Sequence, residues 1–350
     1  MKHREKQTIS SMVISTSNDY SRVEGDFIKK TGLNLIKLDR RAIKFAKDPI
    51  SIVIPTYIGE RLDIILQNLN NQVYKNFEVI IVDDASPNDV TTKFKNSIFS
   101  FPIKYIRVLK NQGASTATNI GVDLSNSNII ILMEQDMIPP IDLTAKMAVR
   151  QQFTTKSVFV GFRETIRYED YVRRHKPASM SGDWRYKIKD DGSFLDLTIK
   201  QTFKSIIKGK INLLKKSDYF KKFGMGETIS HWDLASMVIG HSLCFKKDDI
   251  VEAGGFIERF FYGWGMDDIA LGASMIANKN FIIPAVDWVS YHIEHDRYSG
   301  SRAIEMAELK KNLDLYLNKY IAYSNNKLKF RHHKIKKIKS VNNITYYESY

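Results

Sequence analysis

The chain has 350 residues and a formal net charge of +14, from 53 Lys and Arg against 39 Asp and Glu. A hydrophobic share of 43% with 11% aromatics supplies a sizeable core and excludes an extensively disordered or collagen-like polypeptide. The single cysteine, Cys244, excludes an internal disulfide framework and a Cys-rich zinc site. No run approaches the roughly 18 apolar residues of a membrane span, and the first twenty residues lack the apolar core of a secretion signal. A cytoplasmic protein is expected, and its positive balance favours anionic partners: nucleotides, nucleic acid or a lipid surface.

Residues 1–49 are polar and read as an N-terminal extension with some helix. The pattern sharpens at Ser51. Ser51–Pro55 is a short β-branched run, as expected of a buried strand. Leu62, Ile65, Leu66, Leu69 and Val73 then recur at helical spacing and predict a helix over Glu60–Asn71. Phe77–Val82 predicts a second strand, closed by Asp83 and Asp84. A weak helix after Pro87, a strand over Ile103–Leu109, a helix over Ala114–Leu124 and a strand over Asn128–Met133 follow. The last runs into Glu134-Gln135-Asp136. Uniformly apolar strands separated by helices predict a mostly parallel central sheet with helices on both faces. Ligands of such sheets bind beyond the carboxyl ends of the strands. The polar residues there are therefore the first candidates.

Beyond Pro140 the pattern loosens. Ser157–Gly161 is a candidate strand. Residues 164–235 are rich in aromatics and Lys, with eleven Lys and Arg against four Asp between Arg185 and Lys222. Leu195, Ile199, Phe203, Ile206 and Ile207 fall near one helical face there, which suits an interfacial helix or a core helix equally. Strands over His241–Phe245 and Phe281–Pro284 and helices over Asp248–Gly254, Asp267–Asn278 and Ser301–Tyr320 are expected. The tail, 326–350, carries seven Lys and Arg and one Glu, without a nucleic-acid-binding motif.

The first βα turn, Pro55-Thr56-Tyr57-Ile58-Gly59-Glu60, lacks the Gly-x-Gly-x-x-Gly of a dinucleotide fold. Ile211 after Gly209-Lys210 excludes a P-loop. Four constellations remain. Asp83-Asp84 can accept from a base N–H and ribose hydroxyls, or simply cap the next helix. Glu134 and Asp136 can reach one divalent cation, and hard oxygen ligands suit Mg²⁺ or Mn²⁺. Asp267-Asp268, behind Gly263-Trp264-Gly265, can furnish a general base at a helix N-terminus, with Trp264 available to stack on a sugar. His292 and His295 offer imidazoles, though a lone His is more often structural. They stand three residues apart and do not form the zinc His-x-x-x-His pair.

In this order, Ser51–Tyr57, Phe77–Ser86, Asn111–Asn119 and Glu134–Asp136 resemble a family 2 glycosyltransferase of GT-A fold. Gly254–Asp268 is similar to the Gly-Trp-Gly-x-Glu-Asp element of galactosyltransferases and polypeptide GalNAc-transferases. The resemblance covers about residues 50–295. It implies a nucleotide-binding half over 50–140, an acceptor-side insert over 164–235 and a catalytic acceptor half over 236–295, with a C-terminal helix and basic tail over 296–350. By the resemblance, Pro55, Thr56, Tyr57, Asp83, Asp84, Asn111, Gly113, Asn119, Glu134 and Gln135 border the nucleotide-sugar. Asp136 and His292 hold Mn²⁺ or Mg²⁺, Trp264, Gly265 and Asp267 grip the acceptor, and Asp268 is the base. The implied reaction is inverting transfer from a UDP-sugar to a glycan, peptide, lipid-linked or small-molecule acceptor, in polysaccharide or glycoconjugate synthesis. No nucleic-acid partner is implied. A peripheral contact with the anionic inner face of the membrane is a further reading of the charge. The chain departs from the family in Glu134 for the usual first Asp and Asp267 for the usual Glu. A nucleotidyltransferase and a non-catalytic nucleotide- or sugar-binding module are the alternatives.

Overall fold

The computed structural model describes residues 18, 20–173, 235–240, 242–258, 260–261, 263–295, 300–316 and 329–349. The Lys-rich stretch 185–222, His241 and residues 317–328 lie outside them. Among the described residues the strands form one ten-stranded sheet, in the order β5-β8-β6-β7-β4-β1-β2-β3-β10-β9. These are β1 (Ile50–Thr56), β2 (Phe77–Asp83), β3 (Ile103–Val108), β4 (Ile129–Met133), β5 (Met137–Ile138), β6 (Ser157–Ile166), β7 (Ser242–Lys246), β8 (Phe281–Ile293), β9 (Ile335–Val341) and β10 (Ile344–Ser349).

The run β4-β1-β2-β3-β10 is parallel throughout. β1, β2 and β4 are almost wholly buried, which is why their sequences are apolar on both faces. The helices among the described residues are α1 (Ser21–Thr31), α2 (Leu62–Asn70), α3 (Ala114–Leu124), α4 (Leu143–Phe153), α5 (Tyr168–Val172), α6 (Lys247–Ala253), α7 (Asp267–Ala277) and α8 (Arg302–Leu315). Gly121 lets α3 lie flat on the sheet: a Cβ there would come within 2.3 Å of Val53. The expected α/β class with a large, mostly parallel central sheet is what the chain adopts. No helix among the described residues is long and apolar enough to cross a membrane.

Three elements differ from expectation. The strand expected to stop at Pro284 runs on to Ile293. Pro284 is accommodated because the register of β8 on β6 shifts directly after it, with residues 285–288 of β8 opposite Gly161 alone, the kind of place where a missing N–H costs no ladder bond. Gly161 lies opposite that bulge, under the buried Trp288, whose ring lies 2.5 Å from where a Cβ would sit. The strand expected to end at Gly161 also continues, to Ile166. At the far edge, the expected basic tail is a hairpin. β9 and β10 join through Asn342-Asn343, with Asn342 at a φ of +54°, and β10 pairs with β3.

Part of the N-terminal stretch is buried with the core, through Phe27, Leu33, Leu35, Ile36, Leu38 and Ala42. Its anchor is Arg150 of α4, itself fully buried. Arg150 donates to the Leu35 carbonyl at 2.9 Å and the Ile36 carbonyl at 3.1 Å and forms a close ion pair with Asp287. Burial alone would raise the Asp287 pKa. Arg150 and Lys146, the latter at 3.2 Å, outweigh it and hold the carboxyl below its usual range. Asp287→Ala strands a buried guanidinium, so unfolding in urea should show a loss of about 3–5 kcal/mol. A depressed folded-state pKa stabilises above the unfolded value near 4. That contribution fades as pH falls through the lower folded value, and the variant should show less acid sensitivity in this window.

Candidate active site

The site lies where β1, β2 and β4 end. Thr56 closes β1 opposite Asp83, the last residue of β2. Asp83 is fully buried. Its Oδ1 accepts from Ser86 N at 2.8 Å, and its Oδ2 accepts from Tyr105 Oη and Arg107 Nη1, each at 2.6 Å. A carboxylate has about four acceptor sites, so these three donors leave one for a ligand. Burial, then the Asp83 charge, pushes the Tyr105 phenol well above its usual range, so it stays a donor.

Asp84 ties the second strand to the third helix. Its carboxylate accepts from Gln112 N at 2.8 Å and Gly113 N at 2.7 Å, while Asn111 Nδ2 donates to its carbonyl at 3.1 Å. Gly113 has a φ of +89°, a conformation that favours glycine. Burial raises the Asp84 pKa against those two backbone bonds. Asn119 is buried deeper in α3. Its amide accepts from Phe256 N at 2.9 Å and donates to the Phe256 carbonyl and to Glu258, so it holds the 254–258 segment against α3.

Gln135 bridges the ends of β1 and β4. It accepts a close hydrogen bond from the Thr56 hydroxyl and donates to the Tyr57 carbonyl at 3.2 Å. Pro55 precedes this link within β1, and the Tyr57 ring stands exposed beside it.

Asp136 is the centre of a second group. β5 begins one residue later and pairs antiparallel with β8, setting Met137 opposite His292. Ile293 N donates to the Asp136 carbonyl at 3.0 Å, which locks this register. His292 Nε2 and His295 Nε2 then lie 3.4 and 2.9 Å from Asp136 Oδ2. Ligand atoms of all three residues fall within 4.8 Å of one another. Burial disfavours the Asp136 charge, but the hydrogen bonds and charges of His292 and His295 outweigh it and hold the carboxyl far below its usual range. Asp136 Oδ1 and His292 Nδ1 are buried without a hydrogen-bond partner. Unpaired buried polar atoms are costly, and a convergent carboxylate with two imidazoles is a donor set for a divalent first-row ion. These residues fit a metal. Glu134 is not part of the set. Burial raises its pKa, with Asp136 adding to the rise and Arg163 of β6 opposing it.

Asp268 reaches the same place from the other side. β7 runs antiparallel to β4, with Ser242 opposite Met133, and Gly240 just before it touches Asp268. The Gly240 N–H donates to the Asp268 carboxylate, and a Cβ on Gly240 would come within 2.6 Å of its Oδ1. Burial, then the charges of Asp267 and Glu134, pushes the Asp268 pKa well above the usual carboxylate range. Burial raises Asp267 as well. Asp267 opens α7 behind the Gly263-Trp264-Gly265 turn, and the Trp264 ring is 45% exposed.

The structure thus gathers Glu134, Asp136, Asp268, His292 and Arg163 into one electrostatic group, beside the link of Thr56 to Gln135. Sequence reasoning did not make His295 a ligand or single out Arg163 and Gly240. For His295 the signal was its place three residues beyond His292, where the chain leaves β8 and turns back onto Asp136.

Residues 51–212 match the family model of Glycosyl transferase family 2. An uncharacterized glycosyltransferase of Bacillus subtilis, YfnE, is 26% identical over 288 residues, covering 77% of this chain and 70% of that protein. Chondroitin synthase of Pasteurella multocida is 27% identical over 255 residues, 70% of this chain but 25% of its own length. Among solved structures, the mannosyltransferase PcManGT from Pyrobaculum calidifontis, in complex with GDP-Man and Mn²⁺, is 14% identical with a TM-score of 0.45, covering 89% of this chain and 81% of that one. Over residues 51–212 the chain is similar to the Glycosyl transferase family 2 model, and with these relatives it stands as an enzyme of the glycosyltransferase class.

Proposed function

We propose that the chain transfers a sugar from a UDP-sugar to an acceptor hydroxyl, with inversion at the anomeric carbon. The observation that carries this reading is a pair of differently tuned carboxylates, Asp136 and Asp268, that both interact with Glu134. Asp136 is held ionised beside two imidazoles, while burial and the charges of Asp267 and Glu134 raise Asp268 well above the usual carboxylate range. Their environments push the two carboxyls apart in pKa, the pattern expected when one group holds charge and the other moves a proton.

In this reading residues 50–140 bind the nucleotide and 236–295 present the acceptor, in a GT-A arrangement. Tyr57, beside Pro55 and Thr56, borders the base, and the remaining acceptor site of Asp83 takes a base N–H. Asp84 fixes the loop of Asn111 and Gly113 against the ribose, and Asn119 braces the segment behind it. Glu134 and Gln135 face the donor sugar. Asp136 and His292, with His295, hold the cation. Mn²⁺ or Mg²⁺ held by these residues would supply Lewis-acid neutralisation of the diphosphate charge, and two imidazoles tilt the choice toward Mn²⁺.

Asp268 takes the proton of the acceptor hydroxyl while Gly240 N–H fixes the carboxylate. Oxygen attacks the anomeric carbon opposite the leaving diphosphate, and a single displacement inverts that centre. Asp267, Trp264 and Gly265 position the acceptor, a role similar to that of the Gly-Trp-Gly element. The physiological product is a polysaccharide or glycoconjugate made on the cytoplasmic side, with the Lys-rich stretch 185–222 meeting an anionic membrane or the acceptor.

Calorimetry tests the donor half. UDP should bind with Mn²⁺ present and lose at least about tenfold in affinity with EDTA, about 1.4 kcal/mol. Equal UDP affinity in both conditions would remove the metal from the reading, and no UDP binding in either would remove the nucleotide.

A further inference from the structure

We infer that α8 is the element that sets acceptor affinity, and that Glu308 and Asn312 are positioning residues for Trp264. The inference rests on the proposed acceptor role of Trp264. Two residues of α8, one turn apart, grip the peptide groups on both sides of that tryptophan. Glu308 Oε2 accepts from Trp264 N at 3.0 Å. Asn312 Nδ2 donates to the Trp264 carbonyl at 3.1 Å and the Gly265 carbonyl at 3.0 Å. Asn312 is fully buried at 0% exposure, so its amide is aimed into the turn at the cost of any contact with water.

The same helix accounts for both glycines. A Cβ on Gly263 would fall 2.2 Å from the Glu308 carboxyl, and one on Gly265 would fall 2.7 Å from Leu309. Their φ values, +69° and +95°, add a backbone reason, and Met266 follows at +78°. Three left-handed residues, Gly263, Gly265 and Met266, within four positions around a gripped peptide make a sharp, costly turn. The turn turns its one large side chain outward, and an exposed indole on a rigid backbone is what a sugar face needs for stacking. The base and the metal-binding carboxylate are anchored elsewhere: Asp268 is fixed by Gly240 and Asp136 by β8. Loosening α8 should therefore move Trp264 without moving the groups that meet the nucleotide.

The test uses the full chain, its preferred UDP-sugar with Mn²⁺, and p-nitrophenyl glycosides of glucose, galactose, GlcNAc and GalNAc as acceptor probes. Glu308→Ala and Asn312→Ala should raise the KM for the accepted glycoside about tenfold or more. UDP release without acceptor should change less than about twofold. Glu308→Gln keeps an acceptor oxygen and should restore most of the affinity, which a merely structural effect would not do. Amide exchange over residues 263–266 should quicken in both alanine variants. Because Asn312 is buried, the partly exposed Glu308 pair decides the matter if Asn312→Ala does not fold. An unchanged glycoside KM in Glu308→Ala, or a wild type that releases UDP but uses none of the four glycosides, overturns the inference. A wild type that releases no nucleotide from any donor overturns the functional reading beneath it instead.

Discussion

Asp136→Ala should abolish Mn²⁺-dependent UDP binding and lower turnover by about three orders of magnitude or more. The site gives this carboxylate no substitute. Glu134 precedes it but lies outside the group of converging ligand atoms, and its pKa is raised by burial and by Asp136 itself. The two histidines remain, yet neutral imidazoles cannot balance a divalent charge. Losing a Lewis acid worth several kcal/mol corresponds to a factor of about 10³ or more in rate. Rates of UDP release and calorimetric Mn²⁺ titrations measure the effect. Retention of more than about a tenth of the wild-type rate would show that the cation is held elsewhere or is not needed. His295→Ala should fall between the two, because Asp136 and His292 remain, and a Mn²⁺ affinity equal to the wild type would remove His295 from the ligand set.

Asp268→Asn should lower transfer by about 10²–10⁴, the usual share of a general base, while UDP binding with Mn²⁺ survives. The amide keeps the shape and the hydrogen bond from Gly240, so the fold should persist. The pH profile adds a signature. Burial, Asp267 and Glu134 raise the Asp268 pKa, and a base works only when deprotonated. Wild-type transfer should therefore climb with pH along a limb that lies above the ordinary carboxylate range. Asp268→Asn should lose this limb along with the rate, and Asp267→Asn should shift it downward by removing a neighbouring negative charge. A full-rate Asp268→Asn variant would make another group the base.

The central strands were legible because nothing competes with their pattern. β1, β2 and β4 lie inside a parallel sheet, so both faces are apolar and the polar residues at their ends stand out. The edges were harder. Lys336, Lys337 and Lys339 of β9 alternate unevenly with Ile and face solvent, which reads as a solvated tail. The signal was Asn342-Asn343 between two β-branched runs, a two-residue hairpin turn. Pro284 hid the second half of β8, because the bulge at residues 285–288 that tolerates it is defined only by pairing with β6, more than a hundred residues away. The candidate site divides the same way. Asp83, Asp84, Glu134 and Asp136 announce themselves at strand ends. His295, Gly240, Glu308 and Asn312 acquire their places through register and docking between distant segments, and no local spacing encodes that.

The most direct measurement is nucleotide diphosphate release by the purified full chain with Mn²⁺, offered UDP-Glc, UDP-Gal, UDP-GlcNAc, UDP-GalNAc and GDP-Man in parallel, with and without EDTA and with the four glycosides as acceptors. The account predicts release of UDP from one UDP-sugar, abolished by EDTA and restored by added Mn²⁺. Release that EDTA leaves untouched would contradict the metal role of Asp136, and release from none of the donors would contradict transfer from a nucleotide-sugar.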